Sequence, residues 1–450
     1  MTANPSIHST ARVVATATSS MAAALFLTSL IAPCMQAHAQ GAAKTITGQA
    51  AFTDYTQEHP GVRRKITAAD LPEPNQGEAV FNGPTVVARP EGALPIAPPG
   101  FKVELYAQGF RVPRLLRTAP NGDIFMSDTG AGEVKVFRGV GADGKVVTSE
   151  TFASGLKQPF GIAFYPLGPN PQWVYVASTT SVVRFPYKSG ELKASGEAET
   201  IVPTLPGGRG GHTTRDVVFS KDGKRMFVSV GSASNVDDTD NNPTEFHRAD
   251  VLEFAPDGKF VKVFANGIRN CVGEAINPTT GQLWCSTNER DNLGNNLVPD
   301  YITSVKEDGF YGWPYYYIGG HQDPRHAGKH PELKDKVIVP DVLLQPHFAS
   351  LELAFYTGNQ FPAAYSGDGF AAEHGSWNKS KRAGYEVIRI PIKNGVATGE
   401  FEDFLTGFVT PDGGVWGRPV GVTVAKDGSL FVSDDGSKSI WHVSYVARNN

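Results

Sequence analysis

The chain has 450 residues, enough for one large domain or two to three small ones. Its formal net charge is −4 and only 19% of its residues are charged, which leaves no electrostatic footprint for a nucleic-acid partner and reads as an ordinary soluble surface. Glycine (49) and proline (32) are frequent, a composition that suits many short strands and turns better than helices.

At the N-terminus, Arg12 precedes a small-residue and apolar run from Met21 to Ile31, and the segment ends in Ala37-His38-Ala39. Ala-x-Ala after a short apolar stretch is a signal-peptidase pattern. The run is shorter than the roughly 20 residues a spanning helix needs. Residues 1–39 therefore read as a signal peptide cut before Gln40, with export to the periplasm; an uncleaved membrane anchor is the alternative. Residues 40–99 are Pro- and Gly-rich with little periodicity and read as an N-terminal extension, packed on the main domain or partly loose. The main domain spans residues 100–450 and begins with Phe101-Lys102-Val103-Glu104-Leu105.

One phrase recurs through that domain: an apolar-alternating segment, a turn, then a short apolar segment closed by a small polar residue. It occupies Arg114–Asp128, Phe160–Ser178, Arg215–Gly231, Val272–Thr287, Leu351–Glu373 and Val420–Asp434. A strand–turn–strand unit repeated in this way predicts an all-β fold, a six-bladed β-propeller. Inner strands are expected from near Leu115, Gly161, Asp216, Val272, Leu351 and Val420, at intervals of 46, 55, 56, 79 and 69 residues. The longest insertion, Asp291–Gln345, is rich in Gly, Tyr, Asp and His, and long loops on a rigid scaffold tend to carry function.

Just upstream of the inner strands stand Arg114, Gln158, His212, Arg269-Asn270, His347 and Arg418. In a propeller these converge on one mouth of the central channel. Such a basic, hydrogen-bonding ring suits an anion with planar carboxylates, because the arginine fork matches carboxylate geometry. It also contains a candidate base: a histidine among positive neighbours stays neutral near pH 7. Taken alone, a pre-strand histidine reads equally as a turn or channel-lining residue. Cys271 and Cys285 flank the turn Asn277–Gly281 on successive strands, so they can face each other across a hairpin as a disulfide; two buried thiols are the alternative. No Cys-x-x-Cys-His occurs, so electrons leaving the protein would pass to a separate carrier. Gly139–Gly144 fits a dinucleotide fingerprint, but the β-like Lys145-Val146-Val147-Thr148 follows where a helix is needed, so a hairpin turn is the better account. Asp237–Asn242 has calcium-loop character, yet Pro243 stands where an EF-hand needs glycine; it reads as a solvated loop, with a structural cation as the alternative.

Several segments carry a family resemblance: Gly210-Gly211-His212 before Asp216-Val217-Val218-Phe219, Gly267-Ile268-Arg269-Asn270, Asn288-Glu289-Arg290-Asp291, Gly309-Phe310-Tyr311-Gly312-Trp313-Pro314, Glu373-His374-Gly375-Ser376-Trp377-Asn378 and Arg418-Pro419-Val420-Gly421. On these the chain resembles the soluble glucose/sorbosone dehydrogenases, propellers that use pyrroloquinoline quinone (PQQ) and calcium. Asn-Glu-Arg-Asp together with Leu297–Tyr301 is most similar to the L-sorbosone dehydrogenase branch. The resemblance implies His212 as catalytic base and Arg269 and Asn270 as the pair at the quinone oxygens. It implies Arg418, Lys379 and Gln158 at the cofactor, the last displaced by about two positions from the family's glutamine. The Glu289, Arg290, Asp291 stretch would supply backbone carbonyls to calcium. The implied reaction oxidises a sugar aldehyde such as L-sorbosone to 2-keto-L-gulonate or a lactone, with a cytochrome or quinone pool as electron acceptor and a peripheral membrane association through such partners. A glucose-type aldose dehydrogenase, a calcium-dependent lactonase and a non-catalytic periplasmic binding propeller are the competing readings.

Overall fold

Each recurrent phrase folds as a hairpin whose two strands are buried along nearly their whole length, except Pro113–Thr118, which is only partly buried at Arg114, Arg117 and Thr118. Ile124–Asp128, Met226–Val230, Leu283–Thr287, Gly369–Glu373 and Leu430–Asp434 are buried at every position. Such strands lie between neighbouring sheets, so both faces are apolar. In the computed structural model, which describes residues 45–207 and 210–446, these hairpins form the inner halves of six antiparallel blades. The expected signal segment, residues 1–39, lies outside the described residues.

The inner strands run Pro113–Thr118, Pro159–Tyr165, Val217–Phe219, Cys271–Ile276, Ser350–Phe355 and Pro419–Val424. Each packs beside the next, and the last lies against the first, so the ring is closed. The two ends of the domain also meet in one sheet. Phe101–Gln108, ahead of blade one, forms the outermost strand of blade six against Ser439–Tyr445. The fingerprint-like glycines belong to a plain hairpin, Glu133–Val140 paired with Val146–Ala153.

Five of the six inner strands begin with a register shift: between Pro113 and Leu116, Pro159 and Gly161, Cys271 and Gly273, Ser350 and Leu353, and Pro419 and Val422. A bulge re-aims the side chains around it. These shifts lie at the strand starts; the third inner strand, which follows His212, has none. A side chain at Gly273 would collide with the Leu351 carbonyl of the next blade, so the fourth and fifth inner strands can approach only because this residue is glycine.

The extension is ordered on the propeller from Thr45 onward. Ile46–Thr47 and Arg63–Lys65 continue blade five outward, in the order Ile46–Thr47, Arg63–Lys65, Phe401–Leu405, Glu386–Ile390, Gly369–Glu373, Ser350–Phe355.

Cys271 and Cys285 form a disulfide, with Cα atoms 5.7 Å apart. The bulge at Cys271 makes Glu274, not Cys271, the direct neighbour of Cys285, and the bond spans this offset. It ties the strand that follows Arg269-Asn270 to the strand that leads into Asn288–Asp291. A cross-link closing a loop of about 15 residues contributes about 3 kcal/mol. The Cys271→Ala/Cys285→Ala variant is therefore expected to lose about that much in urea unfolding; an unchanged midpoint would show that the bond is dispensable.

Candidate active site

His212 stands ahead of the third inner strand, half-buried. Its Nδ1 lies 3.0 Å from the Ser232 carbonyl and 3.1 Å from the Ser232 hydroxyl. The carbonyl can only accept, so Nδ1 carries the proton and Nε2 keeps its lone pair. Nε2 has no hydrogen-bond partner among the described residues. Burial, then the guanidinium groups of Arg269, Arg248 and Arg215, hold the ring's pKa down to about 3. The neutrality expected from the sequence is thus enforced, by Arg269 of the anticipated ring and by two arginines outside it. Arg248 bonds the carbonyls of Gly231, His212 and Ser232 at 2.8–2.9 Å, locking the turn that carries the imidazole.

Arg269 is held in a fixed pose. Nε and Nη2 donate to the main chain and side chain of Asn235 at 3.1 and 3.0 Å, Nη1 donates to the Glu289 carbonyl at 2.7 Å, and Nη2 reaches Asp291 at 2.8 Å. Asn235 in turn accepts from Trp313 Nε1 at 2.9 Å, which gives the Tyr-Gly-Trp-Pro motif its place as a buttress behind the site. Asn270 donates to Asn288 Oδ1 at 3.3 Å, while its own Oδ1 is buried without a partner. A methyl group at Gly231 would strike this oxygen and stand 2.7 Å from His212 Cβ, so the absent side chain is what lets the base and the amide share one space.

Asp291 joins these residues to the far side of the mouth. Its Oδ1 accepts from Asn378 at 2.7 Å and lies 3.9 Å from His347 Nδ1. His347 donates from Nε2 to the Gly294 carbonyl at 3.0 Å. Lys379, next to Asn378, is buried, and its ammonium has no partner among the described residues. Burial pulls its pKa down to about 8, against the fields of Glu58, Asp54 and Asp300. An unpaired ammonium in a dry site is costly unless an anion completes it.

A second group faces the same mouth. Arg114 donates to Asp435 at 2.9 Å, Asp435 accepts from His374 Nε2 at 2.8 Å, and Arg418 donates to His374 Nδ1 at 3.0 Å. One imidazole cannot donate at both nitrogens here while remaining neutral, so this pattern fixes the tautomer. Burial first, then Arg418 and Arg114, holds the His374 pKa to about 4, with Asp435 opposing. The result is a pair of oriented guanidinium groups joined through His374 and the Asp435 carboxylate.

Gln158 stands apart. It is exposed, its backbone is left-handed at φ 50°, and its amide oxygen lies 3.0 Å from Thr179 Oγ1. The structure therefore brings together His212, Arg269, Asn270, Glu289, Asp291, His347 and Lys379, sets Arg114 and Arg418 in a second cluster, and links Gln158 to the turn of His212 only through Thr179, whose Oγ1 also bonds the Thr213 carbonyl at 3.0 Å. Ser232, Asn235, Arg248 and Asp435 escaped the sequence reading. His374 and Asn378 lie within a motif that flagged them without giving them roles.

The Glu289–Asp291 segment does not present a calcium shell. The Glu289 carbonyl already accepts from Arg269, and the Asp291 carbonyl accepts from Arg290 Nη1 at 2.5 Å and Asn235 at 3.1 Å. Arg290 is itself clamped on Asp323 at 2.7 and 3.0 Å. Burial pushes the Glu289 carboxyl up to about 8. Guanidinium N–H groups thus point at the carbonyls of Glu289 and Asp291, two of the three residues expected to supply calcium ligands. The Asp237–Asn242 loop is likewise spent on protein partners: Asp238 pairs with Lys329 and accepts from Tyr315 at 2.8 Å, and Asp240 meets His330 at 2.8 Å.

The domain is thus a closed propeller with a basic channel mouth, at which His212 Nε2 has no hydrogen-bond partner among the described residues. The chain belongs to the TrAA12-like family, whose sequence pattern matches residues 95–308 and 323–446. Among curated proteins it is 29% identical over 360 residues to an uncharacterized protein of Borreliella burgdorferi, covering 77% of this chain and 90% of that one. It is 23% identical over 410 residues to a pyrroloquinoline quinone-dependent pyranose dehydrogenase of Coprinopsis cinerea, covering 77% of this chain but only 54% of that protein. Among solved structures, Trichoderma reesei Carbohydrate-Active Enzymes Family AA12 superposes with a TM-score of 0.68 at 21% identity, over 78% of this chain and 97% of that one. The holo pyranose dehydrogenase PQQ domain of Coprinopsis cinerea gives 0.66 at 21% identity, over 81% and 100%. A PQQ-bound aldose sugar dehydrogenase of Streptomyces coelicolor gives 0.56 at 18% identity, over 78% and 99%. At these identities the superpositions establish the fold.

Proposed function

We propose that this protein is a PQQ-dependent dehydrogenase of sugars, oxidising a sugar aldehyde such as L-sorbosone to 2-keto-L-gulonate or the corresponding lactone. The observation that carries this reading is His212: an imidazole whose tautomer is set by Ser232, leaving Nε2 as a free base at a basic channel mouth. The cofactor's chemistry matches the donor set. PQQ is a planar quinone bearing three carboxylates and a pyrrole N–H. The mouth offers the unpaired Lys379 ammonium, the oriented guanidinium groups of Arg114 and Arg418, and unpaired amide oxygens on Asn270 and Asn378. When bound, PQQ supplies the hydride acceptor.

His212 Nε2 removes the proton from the substrate hydroxyl, that of a hydrate or cyclic hemiacetal when the substrate is an aldehyde. Arg269 places a fixed positive charge where negative charge grows during the transfer. Its four anchoring contacts keep it from following substrate motion, so the charge is in place before the reaction. No step is routed through calcium, because the carbonyls assigned to it hold arginine N–H groups.

A second substrate reading has support in the family. The Coprinopsis relative is named a pyranose dehydrogenase, which favours an aldopyranose as substrate. Export to the periplasm and transfer to a separate cytochrome or quinone acceptor, with any membrane association peripheral, complete the proposal. Among the described residues no helix is long and apolar enough to cross a membrane.

The test is a titration of purified protein with PQQ, with and without calcium, followed by dye reduction on adding L-sorbosone, glucose or a lactone. Stoichiometric quinone binding and sugar-dependent reduction are expected. Failure to bind the quinone in either condition moves the non-catalytic binding propeller to first place, and lactone hydrolysis without dye reduction favours the lactonase.

A further inference from the structure

Residues 45–94 precede the stretch that matches the family, yet they touch the cofactor side of the propeller at several points. Asn82 makes the densest contact. Its backbone N–H donates to the Trp377 carbonyl at 2.7 Å, and its side-chain Nδ2 donates to the Lys379 carbonyl at 3.0 Å and the Ser380 carbonyl at 3.1 Å. Around it, Arg382 donates to the Gly83 carbonyl at 3.1 Å, the Tyr55 N–H donates to the Arg382 carbonyl at 2.9 Å, and Glu58 accepts from the Gly384 N–H at 2.7 Å. Phe81 packs on Trp377 with centroids 5.7 Å apart. From the opposite side, Asn295 accepts from the Ser380 N–H at 2.8 Å.

Trp377–Gly384 belongs to no blade strand. Its backbone groups must find partners outside the sheet, and the extension supplies most of them. Lys379 is the reason this matters. Its ammonium is buried and unpartnered, so its position depends on its backbone and not on a side-chain bond. A lysine held in this way is preorganised for an anion, whereas a loose one must be ordered at the moment of binding.

We infer that the N-terminal extension is a strap that sets the cofactor lysine, and that Asn82 is a positioning residue acting through Lys379. The inference rests on the PQQ reading above. It differs from a general role in stability, because the two side-chain bonds of Asn82 end on the carbonyls of Lys379 and its neighbour alone.

The experiment is a double-mutant cycle read by PQQ affinity, with quinone absorbance as the signal. Asn82→Ala is expected to weaken PQQ binding about tenfold in the native background. In Lys379→Met, where the ammonium is already gone, the same change should weaken it less than about twofold. A tenfold loss in both backgrounds, or no loss in either, overturns the inference. Near-UV circular dichroism checks that each variant folds. If Asn82→Ala does not fold, Asn82→Ser, which retains one donor, should weaken binding by an intermediate factor, and native affinity in that variant also overturns the inference. A wild-type protein that fails to bind PQQ counts against the functional reading instead, so the two failures are distinguishable.

Discussion

His212→Ala is expected to lower kcat about 100- to 10,000-fold while PQQ still binds and the fold persists. The size follows from the role: a positioned general base is removed, while the charge at Arg269 and the binding groups around Lys379 and Arg418 stay. The pH dependence carries a further expectation. In the free protein His212 is held to about 3 by burial and by Arg269, Arg248 and Arg215, which would make it a weak proton acceptor. A trianion bound at the channel mouth would add negative charge facing the ring, opposing the field of those guanidinium groups and raising that value. Loading with PQQ would thus turn a poor base into a usable one. The acid limb of kcat/KM for the loaded protein should fall between about 3 and the ordinary 6.5. Dye-reduction kinetics from about pH 3 to 8 would measure it. Loss of quinone binding or of the near-UV signature in His212→Ala would sink the assignment of the base.

The inner half of each blade was legible because its two strands are buried on both faces and so read as short apolar runs. The outer strands are half exposed; Val146–Ala153, for example, alternates between exposed and partly buried positions over most of its length. The two strands of the extension were invisible. Ile46–Thr47 has two residues, and Arg63–Lys65 is Arg-Arg-Lys, with no apolar alternation to reveal it. The ring at the channel mouth was legible because its members lead the inner strands, although the bulges that open five of those strands leave no signature in the sequence. Gln158 shows the limit. It holds the same position in the repeat, yet it is exposed and its side chain bonds only Thr179. Arg248 shows the converse. It lies between His247 and Ala249, with φ of 52° and 55°, and those two turns carry its guanidinium beneath His212. Periodicity says nothing about such a path.

Arg64→Ala is expected to cost about 3–5 kcal/mol in urea unfolding at pH 7, because it breaks a fully buried ion pair from one side. Arg64 lies in the inner of the extension's two strands, pairs with Asp403 on the outer strand of blade five, and donates to the Gln57 carbonyl at 2.8 Å. Neither side chain of the pair is exposed. Without the guanidinium, the Asp403 carboxylate would stand beside the buried acids Glu58 and Glu386, whose pKa values are already raised by burial and by Asp403 itself. Burial also pushes Asp403 up to about 7 against the pull of Arg64, and removing that pull raises it further. A carboxyl with a raised folded-state value has its destabilising effect above its unfolded value of about 4 and loses it as the pH falls. Since that rise starts from about 7, the Asp403 part of the Arg64→Ala deficit should grow as the pH rises above about 7 and fade below it. Replacing both partners with apolar residues of similar volume, as in Arg64→Met/Asp403→Leu, should recover most of the loss, since no charge is then stranded. A deficit below about 1 kcal/mol at pH 7 would mean that water reaches Asp403 once Arg64 is gone. Gln57, bonded by the same guanidinium, immediately precedes Glu58, which caps the loop of Lys379 at Gly384, so the variant should also weaken PQQ binding. The ion pair that anchors the extension thus lies on the same short path as the strap that sets the cofactor lysine.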